Sequence, residues 1–125
     1  MKKCLLLFLA LFLSGCDSGT EWRDEKYEII WIDTLGLSLN LNVGASGFVE
    51  RVPPNVVAVG SNSQYIVVKQ SNKASKEIAY FYLEKGKDNT YKNANEITKG
   101  PLGEAEFIEL SRKLGLPKIT KEFHY

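Results

Sequence analysis

The residues that could do acid–base, nucleophilic or metal chemistry are few and widely spaced in this chain of 125 residues. The one histidine, His124, lies next to the C-terminus, where residues are usually poorly ordered. Several carboxylates fall near predicted strand ends, but no spacing singles out a pair for glycosidase-like chemistry among Asp33, Glu50, Glu77 and Glu84. Because a catalytic or metal site needs several such groups to converge, we predict no enzyme activity, no metal and no cofactor.

The first fifteen residues differ from the rest of the sequence. A basic start is followed by an unbroken apolar run over residues 5–13 and by the small residues Ser14 and Gly15. This order is typical of a secretory signal peptide. The apolar run is about half the length that a membrane-spanning helix needs, which is roughly 20 residues. We therefore predict that residues 1–15 are a signal peptide that is removed.

The motif Leu13-Ser14-Gly15-Cys16 resembles a lipobox, the site at which lipoprotein signal peptidase cuts before an acylated cysteine. The resemblance implies that Cys16 becomes the first residue and carries acyl chains such as palmitate. Each buried methylene contributes about 0.8 kcal/mol, and two or more chains hold a protein stably on a membrane. The other cysteine, Cys4, leaves with the signal peptide. The mature chain then has no free thiol and no internal disulfide.

The residue after the lipidated cysteine bears on the subcellular location of the protein. In enteric-type Gram-negative bacteria, an aspartate at the place of Asp17 resembles the signal for staying in the inner membrane. The resemblance implies a lipid-anchored domain that faces the periplasm. In a Gram-positive host the rule does not apply, and the domain would face the cell exterior.

Removal of the signal peptide leaves a nearly neutral chain of 110 residues, the length of one domain. Two lysines are lost, and 14 Lys and Arg residues remain against 15 Asp and Glu residues, a formal net charge of −1. No basic stripe stands out, so we expect no nucleic acid partner. The expected partners are the membrane, reached through the acyl chains on Cys16, and a protein.

The segment that follows the signal peptide, residues 16–26, is polar and charged apart from Trp22 and is predicted to be a tether. Ten extended residues reach at most about 35 Å, enough to lift a domain off the lipid headgroups. Trp22 is expected either to rest at the membrane interface, where its ring is favoured, or to be the first residue packed on the domain.

Residues 27–125 are predicted to form one small domain of short strands. The clearest signal is the strict alternation of apolar and polar side chains over residues 35–43, which indicates a half-buried strand. Residues 60–63 have the chemistry of a hairpin turn. The apolar run over residues 78–83 is the candidate for the centre of the sheet.

One helix is predicted over residues 102–114, before the stop signal of Gly115 and Pro117. Pro101 suits a first turn. Glutamates near the start and basic residues near the end both complement the helix dipole. The predicted fold class is therefore α+β, an antiparallel meander of five to six strands with one C-terminal helix packed on a face.

Aromatic side chains are the candidates for a partner surface, because Tyr and Trp dominate the hot spots of protein interfaces. Tyr80 and Tyr82 fall on one side of a predicted strand, with Phe81 on the other. Core packing accounts for most aromatic residues of a small domain. Tyr80, Tyr82 and Trp22 are predicted to bind a partner if they are exposed.

Three segments resemble a family of small bacterial lipoproteins of unknown function: PPNVVAVGSNSQYIVVKQ, YFYLEKG and GPLGEAEFIELSRKLGLP. In that family a hairpin with a glycine-polar turn precedes an aromatic strand and a closing helix, and the resemblance covers residues 52–117. It implies a membrane-anchored, non-catalytic lipoprotein with an accessory role in the cell envelope, and it brings no catalytic residues.

The architecture is also similar to that of immunity proteins, which protect bacteria against secreted toxins such as lipases. A tethered inhibitor at the membrane lies where such a toxin must be stopped. The alternative prediction is therefore an immunity or inhibitor lipoprotein, and it rests on analogy of architecture alone.

Overall fold

The computed structural model describes residues 19–124, which form two antiparallel β-sheets and a helical layer. Sheet A contains four strands in chain order: β1 (Thr20–Asp24), β2 (Tyr27–Ile32), β3 (Gly36–Asn42) and β4 (Phe48–Val52). The strands of sheet B are β5 (Val56–Ser61), β6 (Tyr65–Ser71), β7 (Ile78–Glu84), β8 (Lys99–Leu102) and β9 (Lys121–Glu122). Their order across sheet B is β8-β7-β6-β5-β9.

The main hydrophobic core lies between the two sheets. Because side chains alternate across a strand, the odd-numbered leucines of β3 point inward, as their spacing predicts. Sheet A contributes Ile29, Leu37, Leu39 and Val52, and sheet B contributes Val56, Val59, Ile66, Val68 and Leu83, all almost completely buried. Trp22 and Phe123 pack against this cluster from the first and last strand regions. The core thus lies within the described part of the chain.

A second, smaller core lies on the outer face of sheet B, beneath helix α2 (Glu104–Leu114). Phe107 of α2 is buried there against Tyr65 and Val67 of β6. Glutamates occupy the first turn of α2 and basic residues the last. The helix ends at Gly115, whose φ of +70° suits glycine and whose N–H donates to the carbonyl of Ser111.

The structure confirms an antiparallel β architecture with a helix on one face, but the predicted count of five to six strands is wrong. The six strands expected from the sequence are β2 to β7, and β1, β8 and β9 are additional. The single predicted helix is joined by the four-residue helix α1 (Ala94–Ile97) and by two 3-10 turns at Gly44–Ser46 and Lys85–Lys87.

Three local predictions also need correction. Residues 20–24, expected to be part of a tether, pair with β2 as strand β1. The centre of sheet B is β6 rather than residues 78–83, because β6 has two strands on either side. Pro101 lies in strand β8, and α2 begins only at Glu104. The predicted helix and the hairpin turn between β5 and β6 are confirmed.

The segment between α2 and β9 passes unusually close to β5. A Cβ atom placed on Gly60 would lie 2.0 Å from the carbonyl oxygen of Lys118 and 2.9 Å from the Cα of Ile119. Glycine at this position therefore allows the C-terminal segment to cross sheet B and pair as β9. Within residues 19–124, no helix is long and apolar enough to cross a membrane.

Candidate functional site

Polar side chains gather at one end of the two sheets, which we name the cleft end. It consists of the β1–β2 turn (residues 25–26), the β3–β4 turn (residues 43–47) and the segment after β7 (residues 85–93). An open cleft of about 700 Å³ lies between them, and its charged walls include Arg23, Glu25, Lys26 and Lys85. Small-molecule sites are usually enclosed and largely apolar. This open, charged cleft is therefore better suited to contact with a polar surface of another macromolecule.

A buried ion pair beneath the cleft joins sheet A to the segment after β7. Nη2 of Arg51 donates to Oδ1 of Asp88 at 2.8 Å, and Nε of Arg51 donates to Oδ2 at 3.0 Å. Both side chains are at most 1% exposed. Nη2 also donates to the carbonyl oxygens of Asn89 and Lys92, each at 3.0 Å. One guanidinium therefore joins Asp88, Asn89 and Lys92 of the segment after β7 to strand β4.

Tyr27 completes this buried group. Its hydroxyl donates to Oδ2 of Asp88 at 2.7 Å. Burial, together with the hydrogen bond to the negatively charged Asp88, raises the pKa of Tyr27 well above its ordinary range. The tyrosine therefore stays protonated and acts as a structural donor at physiological pH.

Glu28 is a second buried carboxylate, and it lies on the wall of the cleft. Its Oε1 accepts from Oγ1 of Thr20 at 3.1 Å and from Nη2 of Arg23 at 3.0 Å, and its Oε2 accepts from Nδ2 of Asn42 at 2.8 Å. Burial disfavours the charged form, but the hydrogen bonds from Asn42, Arg23 and Thr20 outweigh it. The pKa of Glu28 is therefore held below its ordinary value.

A third pair links the two sheets at the same end. Nζ of Lys85, which is nearly buried, donates to Oδ2 of Asp24 at the end of β1. Partial burial raises the pKa of Asp24, but hydrogen bonds from Lys85 and Ser61 lower it by more. The net pKa of Asp24 is therefore below its usual value. The ammonium group of Lys85 and the hydroxyl of Ser61 therefore stabilise the ionised carboxylate of Asp24.

The carboxylates and the tyrosine at the cleft end have pKa values that lie away from neutral pH. A general acid or base works best when its pKa lies near the operating pH. Here the pKa values of Asp24 and Glu28 lie below their ordinary values, and the pKa of Tyr27 lies above its ordinary range. Within residues 19–124, no group of three His, Cys, Asp or Glu side chains could hold a metal ion.

The opposite end of the sheets, which we name the Trp31 end, has a different character. It contains Gly19, the β2–β3 turn (residues 33–35), the β6–β7 loop (residues 72–77) and the last described residues. Trp31 shares two shallow depressions here with Phe123 and His124. Leu35, at the tip of the β2–β3 turn, is 62% exposed.

The predicted partner-binding residues are partly covered by other aromatic rings or by the main core. Tyr80 stacks on Phe107 with ring centroids 4.5 Å apart and an interplanar angle of 8°. Tyr82 meets the ring of Tyr65 edge-on at 6.2 Å. Trp22 packs against the main core and is half-buried. All three keep only part of their surface for a partner.

The structure does not bring the other candidate groups together. Asp33 lies in the β2–β3 turn at the Trp31 end, whereas Glu84 ends β7 at the cleft end. His124 is exposed beyond β9. The predicted lipidation site Cys16 and sorting residue Asp17 lie outside the described residues.

Sequence reasoning missed the buried pair of Arg51 and Asp88, which are 37 residues apart. Strict alternation would place Val49 and Arg51 on the same face. A β-bulge shifts the register between β3 and β4 at this point, so that both Val49 and Val52 reach the core. In the sequence Arg51 stands between Glu50 and Val52, a pattern that an exposed strand also shows.

No family model, curated protein or solved structure matches this chain. The resemblance of residues 52–117 to small bacterial lipoproteins therefore stays a prediction, as does the lipobox.

Proposed function

We propose that this chain is a bacterial lipoprotein, anchored to a membrane by acyl chains on Cys16, with a non-catalytic accessory role in the cell envelope. The observation that carries the proposal is the order of basic, apolar and small residues that ends at Cys16 and is followed at once by a folded domain. Asp17 favours the inner membrane and a domain that faces the periplasm.

The ionic groups of the cleft end support a non-catalytic role. Arg51 and Asp88 are paired with each other, and Glu28 is occupied by three donors. Such groups hold strands and loops in place. The exposed surface around them is polar and of mixed charge, which suits recognition of another macromolecule.

The two cysteines of the chain provide a matched test of the anchor. The full chain is expressed in a bacterial host as wild type, as Cys16→Ala and as Cys4→Ala, and its N-terminus is analysed by mass spectrometry. We expect acylation at Cys16 in the wild type and in Cys4→Ala, because Cys4 leaves with the signal peptide. Cys16→Ala should remain as unprocessed precursor in the membrane. A correctly cut, soluble domain from Cys16→Ala would show that the lipobox assignment is wrong.

The second candidate function is an immunity or inhibitor protein that binds a secreted toxin such as a lipase. The observation that favours it is Tyr91, which is 94% exposed and follows directly on the cleft wall at Thr90. Tyrosine is enriched among the residues that contribute most to protein interfaces, and Tyr91 leaves its ring open to a partner beside the polar cleft.

A pull-down distinguishes the two candidates. The full-length lipoprotein is captured from envelope and secreted fractions of its own host, beside Tyr91→Ala as a matched variant, and the bound proteins are identified by mass spectrometry. A single stoichiometric hydrolase that Tyr91→Ala loses would support the immunity function. An envelope complex would support the accessory role.

A further inference from the structure

The structure places the start of the folded domain very close to the proposed anchor. β1 begins at Thr20, and the carbonyl oxygen of Gly19 already accepts a hydrogen bond from the N–H of Trp31 at 3.0 Å. Cys16 precedes Gly19 by three residue steps, which cannot span more than about 11 Å. The acyl chains on Cys16 must therefore enter the bilayer within that distance of Gly19, at the Trp31 end.

The side chains around Gly19 suit a lipid surface. Trp31 is 39% exposed, and the adjoining turn presents Leu35. Phe123 is half-buried and lines the same depressions as Trp31. Tryptophan is favoured at the boundary between headgroups and acyl chains, where its ring is buried while its polar group stays hydrated. Nε1 of Trp31 donates to Oε1 of Glu21 at 3.0 Å, so the polar group of the ring stays paired at the headgroup level, where the carboxylate remains hydrated.

Charges at the Trp31 end are mixed. The β6–β7 loop exposes Lys73 and Lys76, but Glu77 follows them and Asp33 lies in the β2–β3 turn. The attraction of these lysines to anionic lipid is therefore offset within the same surface. We expect the apolar side chains to provide most of the contact.

We propose that the Trp31 end of the domain rests directly on the lipid bilayer, with Trp31 and Leu35 at the headgroup level. This inference rests on the proposed acylation of Cys16. The cleft end then faces the aqueous compartment, because β2 runs from one end to the other over about 17 Å. The bilayer thus holds the polar cleft and Tyr91 outward, where a protein can reach them.

The experiment compares two exposed positions at opposite ends of the fold. Full-length Leu35→Cys and Tyr91→Cys are expressed in a bacterial host, purified in detergent and checked for acylation of Cys16 by mass spectrometry. Acylation blocks the thiol of Cys16, so the introduced thiol is the one that a spin label modifies. The proteins are reconstituted in vesicles of phosphatidylethanolamine and phosphatidylglycerol. Collisions of the label with membrane-soluble oxygen and with a water-soluble nickel complex are then measured.

We expect the ratio of oxygen to nickel collisions to be several-fold higher for the label at position 35 than for the label at position 91. Replacing phosphatidylglycerol by phosphatidylcholine should change this ratio little. Native Trp31 supplies a second readout that needs no label. In Trp22→Phe, where Trp31 is the only tryptophan, lipids with brominated acyl chains should quench most of the emission. In Trp22→Phe/Trp31→Phe/Tyr91→Trp they should quench little.

The outcomes separate this inference from the proposed function. Acylated protein with equal collision ratios at both positions would overturn the seating of the domain and leave the lipoprotein function intact. Contact between labels of neighbouring molecules at position 35, without access to oxygen, would mean that a second copy covers this end. Absence of acyl chains on Cys16 would overturn the lipoprotein function and the seating with it.

Discussion

Removal of the charge of Asp88 should destabilise the domain more than any other single isosteric change at the cleft end. Asp88→Asn preserves the volume of the side chain but leaves the guanidinium of Arg51 buried without a counter-charge. The amide offers one acceptor where the carboxylate serves three donor groups, namely Nε and Nη2 of Arg51 and the hydroxyl of Tyr27. Its NH₂ group must face at least one of these donors.

The expected loss is large on the scale of the whole domain. Breaking a buried ion pair by neutralising one partner costs about 3–5 kcal/mol. Domains of this size are stable by roughly 5–15 kcal/mol, so the loss is a substantial fraction of the total stability. Urea titration of residues 19–125 at pH 7, followed by tryptophan fluorescence, measures the free energy of unfolding. If the slope of the unfolding free energy against urea concentration is the same in wild type and variant, both unfold from an equally compact state.

Glu84→Gln provides the matched control. Glu84 forms an ion pair with Lys87 at 3.7 Å, and the lysine is 71% exposed. Exposed pairs contribute little, so this variant should lose no more than about 0.5 kcal/mol. If Asp88→Asn lost less than about 1 kcal/mol, the reasoning that Arg51 and Asp88 hold the loop by a desolvated ion pair would be refuted.

Two further changes test other parts of the structure. Glu28→Gln should cost about 1–3 kcal/mol at pH 7, because three donors lose a charged acceptor. Since folding lowers the pKa of Glu28, this stabilisation is fully present above the ordinary glutamate pKa of about 4.3 and is lost as the pH falls below it and through the lower pKa of the folded state. Urea midpoints of wild type and variant should therefore converge in acid, and a constant gap down to pH 2 would contradict the assignment. Gly60→Ala should cost about 1–3 kcal/mol in thermal or urea unfolding, because its Cβ would meet the backbone of Lys118. Gly86→Ala, where nothing lies within 4 Å, should be nearly neutral, and equal losses would argue against the close crossing.

Local sequence patterns were sufficient to predict the middle of the fold. The alternation over residues 35–43 predicted β3, because one face of that strand must be apolar to enter a core. The turn residues at 60–63 predicted the β5–β6 hairpin, and the charge distribution with Gly115 predicted α2. Each of these signals acts between residues that are close in the chain.

The outer strands and the cleft end depended on contacts that the sequence does not mark. Residues 20–24 carry four polar side chains around Trp22, and they become a strand only because β2 offers a free edge to pair with. The two-residue strand β9 likewise exists because β5 has an edge and Gly60 leaves room for the crossing chain.

The proposed membrane location rests on the sequence by itself, through the order of basic residues, an apolar run and small residues before Cys16. Tertiary structure decided which charges meet. Arg51 and Asp88 approach each other only after a bulge turns β4 and the two sheets close on their common core. Their attraction is strong because packing removes water from both, and burial of that kind depends on the whole fold rather than on local spacing.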